Sequence, residues 1–166
     1  NKNFKKILKL HTPFLENAIY DSCKIKKNVV EKDENEQNLR KILNFGHTFA
    51  HAFEATLGYS KKLNHGEAVL LGMSIALRFS IKNKILKKNE YSLILDHFKK
   101  SFLPSNIKNF FSKKDINKIL LFMQKDKKNI SKKINLILLK NIGSPVINGS
   151  YKINYIKSFL KKELNN

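Results

Sequence analysis

The sequence predicts a mainly α-helical domain carrying one small β-hairpin. Three observations predict it. Apolar residues recur at helical spacing through most of the 166 residues. One segment, "GEAVLLGMSIALRFSI" from Gly66, is apolar almost all round, the pattern of a buried helix. One run, "KINLILLK" (Lys133 to Lys140), reads best as a strand, and "PVINGS" after it suits a hairpin partner. The length fits a single domain, residues 1–166, with a sizeable core.

The elements come in order along the chain. A first helix is expected from about Phe14 to Glu31. The stretch "EKDENEQN" (Glu31 to Asn38) is the one acidic cluster and reads as a turn. A second helix is expected from about Glu36 to Leu57, and "GYSKKLNHGE" after it is a loop. The buried helix then runs from Gly66 to about Ile81, with Gly72 allowing a close neighbour. A further helix spans about Glu90 to Leu103 and stops at Pro104. "PSNIKNFFSKK" is a loop or short turn. Asp115 is expected to cap a helix reaching Lys125. The hairpin comes next, and the tail from Ile153 to Leu164 returns to helical spacing. No internal repeat and no Gly/Ser-rich linker interrupts the chain.

Composition narrows the functional classes. A single cysteine, Cys23, excludes an internal disulfide framework and fits a reducing, cytoplasmic compartment. The longest uncharged apolar run, Ala68 to Leu77, is too short to span a bilayer, so no membrane role is expected. The opening residues "NKNFKKILKL" lack the apolar core and small-residue cleavage site of a secretory signal. The chain does not begin with methionine, and its start is expected to be a boundary left by processing or by deliberate truncation. The net charge of +20 raises the question of nucleic acid. All but two of the 33 cations are lysines, Arg40 and Arg78 being the exceptions. Arginine forks, the usual readers of phosphate and bases, are therefore scarce. The lysines are scattered over nearly every segment, which fits a solvated surface better than a nucleic-acid stripe.

Chemistry concentrates in the second expected helix. Glu36, Arg40, Asn44, His47, His51 and Glu54 succeed one another at spacings that place all six on one face of a continuous α-helix. Phenylalanines and leucines fill the other faces. A solvated stripe in this chain would be rich in lysine, and this one holds none. It holds groups that bind metals, donate hydrogen bonds and carry protons. His65 lies at the start of the buried helix, beside Glu67, and joins the candidates. Zinc takes histidine and carboxylate ligands, and a catalytic zinc keeps one position open. The spacing of His47 and His51 allows both to bind one metal, or one to bind it while the other faces a substrate; spacing does not choose. His11 and His97 lack such company and read as surface or packing residues.

The stretches "DENEQNLRKILNFGHTFAHAFEA" and "LNHGEAVLLGM" resemble the C-terminal, metal- and substrate-binding domain of the 3-dehydroquinate synthases. The resemblance continues through Leu103-Pro104, "DKKN" (Asp126 to Asn129) and "IGSP", and so covers essentially the whole chain. It implies the helical C-terminal domain of that fold, and a carbon–oxygen lyase that converts 3-deoxy-D-arabino-heptulosonate 7-phosphate to 3-dehydroquinate and phosphate in the shikimate pathway. It implies NAD and a divalent metal, usually zinc and alternatively cobalt. Residue by residue, His47 and His65 match metal ligands, His51 a proton-transfer residue and Glu36 a proton acceptor. Lys26, Arg40, Asn44 and one of Lys127 and Lys128 match substrate contacts. On this reading Gly46 lets the backbone come close at the metal site. Ala50 departs from the family, which commonly has glycine there.

In that family the third metal ligand is a glutamate of an N-terminal NAD-binding domain. No glycine-rich phosphate loop occurs in this sequence, so no NAD-binding residue is expected in it, and the chain by itself is expected to be inactive. Family members are often homodimers. Two other readings compete: a related sugar-phosphate cyclase, and a non-catalytic basic helical domain binding polyanions.

Overall fold

A computed structural model describes residues 3–125 and 133–165. Lys127 and Lys128, with the rest of "DKKN", lie outside the described residues. The chain divides into two compact units, Asn1–Leu43 and Asn44–Asn166.

The first unit holds a short helix α1 (Phe4–Leu8) and a long one, α2 (Phe14–Lys32). The sequence pattern anticipates α2 to within one residue and misses α1. Lys26 sits exposed on α2. Asp33 ends this helix and organises the turn beyond it. Its carboxylate accepts hydrogen bonds from the backbone N–H groups of Gln37 (2.9 Å), Asn38 (2.8 Å) and Arg40 (2.9 Å). These donors, the Arg40 N–H foremost, hold the Asp33 carboxyl below its ordinary pKa. The Arg40 guanidinium donates to the Glu34 carbonyl at 2.6 Å.

The continuous helix expected from Glu36 to Leu57 does not form. Glu36 has φ of +54°, Leu39–Asn44 wind as a 3₁₀ helix, and Gly46 adopts a left-handed φ of +82°. The α-helix α3 begins only at His47 and ends at Thr56. In a 3₁₀ helix residues three apart eclipse, so the spacing of four that separates Glu36, Arg40 and Asn44 no longer keeps them on one face. Of the six-residue stripe, only His47, His51 and Glu54 lie together on one α-helical face.

The second unit is built on α3 and the helix α4 (His65–Lys82), which pack antiparallel. Their contact is backbone against backbone. A β-carbon on Gly72 would run into the carbonyl oxygen of Gly46 and lie 3.0 Å from the Ala50 nitrogen. A β-carbon on Gly46 would stand 2.6 Å from the Met73 nitrogen. Gly46 thus brings the backbone close to α4, where the sequence suggested an approach at a metal. Ala50 is fully buried in the apolar core, so its methyl is spent on packing.

The remaining elements close the core around this pair. They are α5 (Lys88–Lys100), α6 (Ile116–Lys125), strands β1 (Lys133–Asn141) and β2 (Ser144–Lys152), and α7 (Ile153–Glu163). The antiparallel hairpin forms as expected. Alternate residues Ile134, Leu136 and Leu138 of β1 are buried, the signature of a strand with one face on a core. They join Phe49 and Phe53 of α3, Leu71, Ile75 and Phe79 of α4, Ile119 and Met123 of α6, and Ile156 and Phe159 of α7. The buried Ser80 hydroxyl donates to the Ala76 carbonyl (2.8 Å) and accepts from the Leu139 N–H (3.2 Å), tying β1 to α4. Lys118 of α6 donates to the Thr56 carbonyl at 2.8 Å, satisfying the C-terminal end of α3. One capping expectation is corrected. Ser112, not Asp115, is the cap, and it opens a 3₁₀ turn (Lys113–Asp115) leading into α6. The Asp115 carboxylate accepts from the Ser112 N–H at 2.8 Å as the far side of a capping box.

Candidate metal centre

The antiparallel packing of α3 and α4 brings three histidines together. His47 and His51 are one turn apart on α3. His65 is the first residue of α4 and arrives beside them once the loop 57–64 has reversed the chain. Ring centroids are 5.6 Å apart for His47 and His51, 5.9 Å for His47 and His65, and 6.3 Å for His51 and His65. With zinc–nitrogen bonds of about 2.0–2.1 Å, two imidazoles on one tetrahedral zinc place their centroids about 5 Å apart. Each pair here is wider than that by roughly 1 Å, so any two could close on a cation with small side-chain rotations. The three do not converge on one point: among the described residues no group of three or more His, Cys, Asp or Glu side chains stands ready to hold a metal ion.

The rings differ in their surroundings. The Nδ1 of His65 lies 3.1 and 3.2 Å from the two carboxylate oxygens of Glu54. The Nδ1 of His47 lies 3.4 Å from the Phe45 carbonyl. His51 is exposed, and its ring makes no hydrogen bond among the described residues. His47 is half-buried, and that burial lowers its pKa from the ordinary 6.5. The Phe45 carbonyl opposes the shift, while His51 and His65 add to it.

This shift makes stability depend on pH with a definite sign. The metal-free unfolded chain takes up a proton at this ring first as pH falls below 6.5. The neutral buried ring therefore costs the fold nothing above that value, and stability is lost as pH falls toward and through the depressed folded value. The metal-free protein should lose more melting temperature between pH 7.5 and 5.5 than its His47→Gln variant. Equal losses would contradict the assignment.

The other expected site residues sort by unit. Asn44 closes the 3₁₀ turn three residues before His47, in the same unit as the histidines. Lys26, Glu36 and Arg40 belong to the first unit. Glu67, which neighbours His65 in sequence, turns away to the helix cap, where its carboxylate accepts the Asn64 N–H at 2.9 Å. The carboxylate that serves His65 is Glu54, eleven residues earlier. Glu54 belongs to the polar stripe, but its partner carries no signal in the linear pattern, because the pairing exists only after α3 and α4 fold together.

Comparison with known proteins decides the family. The 3-dehydroquinate synthase C-terminal family matches residues 1–129. The chain belongs to the 3-dehydroquinate synthase family. A 3-dehydroquinate synthase of Pelagibacter ubique (strain HTCC1062) is 61% identical over 164 residues, covering 99% of this chain and 45% of the relative. That of Endomicrobium trichonymphae is 42% identical over 148 residues, covering 87% of this chain and 39% of the relative. The chain therefore spans less than half the length of these synthases. Among solved structures, 2-epi-5-epi-valiolone synthase from Streptomyces hygroscopicus subsp. jinggangensis 5008, with NAD+ and Zn2+ bound, superposes with a TM-score of 0.76 at 17% identity. It covers 99% of this chain and 44% of that one. A 2-deoxy-scyllo-inosose synthase complexed with carbaglucose-6-phosphate, NAD+ and Co2+ gives 0.69 at 23% identity, over 82% and 39%. At those identities the likeness is one of fold. The chain shares its mainly helical architecture, with the hairpin, with the matching parts of these two structures.

Proposed function

We propose that this chain supplies the metal- and substrate-binding half of a 3-dehydroquinate synthase acting in the cytoplasm, in the shikimate route to aromatic amino acids. The whole enzyme would convert 3-deoxy-D-arabino-heptulosonate 7-phosphate to 3-dehydroquinate and phosphate. The observation that carries the reading is the proximity of His47, His51 and His65, whose rings neighbour one another across α3 and α4, in a family whose members carry that name.

The residues divide the work. His47 and His65 would hold a divalent cation, with a further ligand from outside this chain completing its shell. When bound, the metal polarises a substrate hydroxyl as a Lewis acid and NAD supplies the reversible oxidation at that carbon. His51 lies one turn along the same face and, lacking a fixed partner, carries protons to and from the substrate. Glu36 accepts a proton. Lys26, Arg40, Asn44 and one of Lys127 and Lys128 hold the carboxylate and phosphate of the substrate by charge-assisted hydrogen bonds. The NAD-binding partner domain is assigned to the length of the relatives that this chain does not span.

The test is phosphate release by the full-length protein given the heptulosonate phosphate, NAD and zinc. Chelation should abolish release and added zinc or cobalt should restore it. Release indifferent to chelation would overturn the role given to His47 and His65.

A further inference from the structure

We propose that Glu54 is a positioning residue that locks His65 in the Nδ1–H tautomer and so presents its Nε2 lone pair outward, ready for a divalent cation. The proposal rests on the metal-binding role of His65 and assigns a role to a residue outside the ligand set.

The geometry is specific. The Nδ1 of His65 lies within hydrogen-bond distance of both Glu54 oxygens, at 3.1 and 3.2 Å. An ionised carboxylate only accepts, so the proton between them belongs to the imidazole. A neutral ring carries one N–H, and with that proton on Nδ1 the lone pair is on Nε2. The side chains are also placed in the right order. Glu54 is only 12% exposed and His65 is 62% exposed, so the carboxylate stands in the wall and the ring reaches outward from it. Glu54 comes from the body of α3, while His65 starts α4, so the bond also fixes the ring's direction relative to the other two histidines.

The same logic extends to His47. Its Nδ1 faces the Phe45 carbonyl at 3.4 Å, a longer bond to a group that likewise only accepts. Both proposed ligands therefore have an acceptor at Nδ1, and His51 has none among the described residues. Outer-shell acceptors of this kind accompany metal-ligating histidines, fixing tautomer and ring orientation. A free ring that can take either tautomer suits proton transfer. The assignment of two rings to the metal and one to the proton thus acquires a physical basis in their hydrogen bonds.

Long-range ¹⁵N–¹H correlation on histidine-labelled, metal-free, full-length protein at pH 8 reads the tautomer directly. The expected wild-type result is Nδ1–H at His65. Glu54→Ala should release it toward the Nε2–H form that free imidazole favours, whereas Glu54→Gln, whose amide oxygen still accepts, should retain Nδ1–H. Zinc affinity by chelator competition should fall on the order of 10–100-fold in Glu54→Ala and by less in Glu54→Gln. An Nε2–H tautomer in the wild type overturns the proposal without any variant having to fold. So does a tautomer unchanged in Glu54→Ala, and so does an equal zinc loss in both variants, which would make Glu54 a direct ligand. A wild-type protein with the expected tautomer that binds no zinc would uphold the role of Glu54 and remove the metal reading, so the two failures are distinguishable.

Discussion

Gly46→Ala will destabilise the second unit by about 2–5 kcal/mol, the sum of left-handed backbone strain and overpacking at a backbone contact. Both terms come from the same place. Gly46 sits at φ +82°, where an L side chain is strained whatever space surrounds it. Its added methyl would also meet the Met73 backbone nitrogen at 2.6 Å, and neither that nitrogen nor the helix carrying it can step aside cheaply. Gly72→Ala isolates the second term. Gly72 has no positive φ, so its cost comes from crowding against the Gly46 carbonyl and the Ala50 nitrogen, about 1–3 kcal/mol. Urea unfolding followed by helical circular dichroism measures both. The double variant should cost less than the sum, because the two substitutions force the same helices apart. A shift below about 0.5 kcal/mol for Gly46→Ala, the range of ordinary surface substitutions, would contradict this backbone packing. There is a functional corollary. His47 and His65 are held at 5.9 Å by this helix contact, so variants that still fold should lose zinc affinity before they lose structure.

The second large effect separates the three histidines. His47→Ala and His65→Ala should each reduce zinc affinity of the full-length enzyme by more than the 10–100-fold typical of losing an outer-shell partner, and should abolish turnover. His51→Ala should leave zinc content near the wild-type level and lower kcat by about 10²–10⁴-fold, the range of a lost acid–base group. Metal analysis after dialysis, paired with steady-state kinetics, distinguishes these outcomes. Equal zinc loss in His51→Ala and His65→Ala would overturn the division of roles.

Much of the fold is legible in the sequence because apolar spacing reports burial. The long helix α2, the apolar α4 and the strand β1 each carry a pattern readable in the sequence, and each lies within a few residues of its expected bounds. The break at Gly46 is not legible. Spacings of three and four fit a continuous helix as well as they fit the ends of two different ones. What decides for the break is the approach of α4, which the linear pattern does not contain. The site shows the same division. Clustered histidines and the absence of lysine single out α3, whose two histidines the fold brings beside His65. Proximity in sequence puts Glu67 beside His65, yet Glu67 caps the helix and Glu54 makes the bond. The short helix α1 escapes the pattern because five residues offer too few turns for a period to emerge.

The identity of the product decides whether this family member is a synthase of 3-dehydroquinate. Full-length protein carrying this chain, supplied with 3-deoxy-D-arabino-heptulosonate 7-phosphate, NAD and zinc, should yield 3-dehydroquinate and one phosphate per turnover, identified by NMR of the reaction mixture. A different carbocycle formed from another sugar phosphate, with no 3-dehydroquinate from the heptulosonate, would keep the cyclase fold and contradict the synthase assignment.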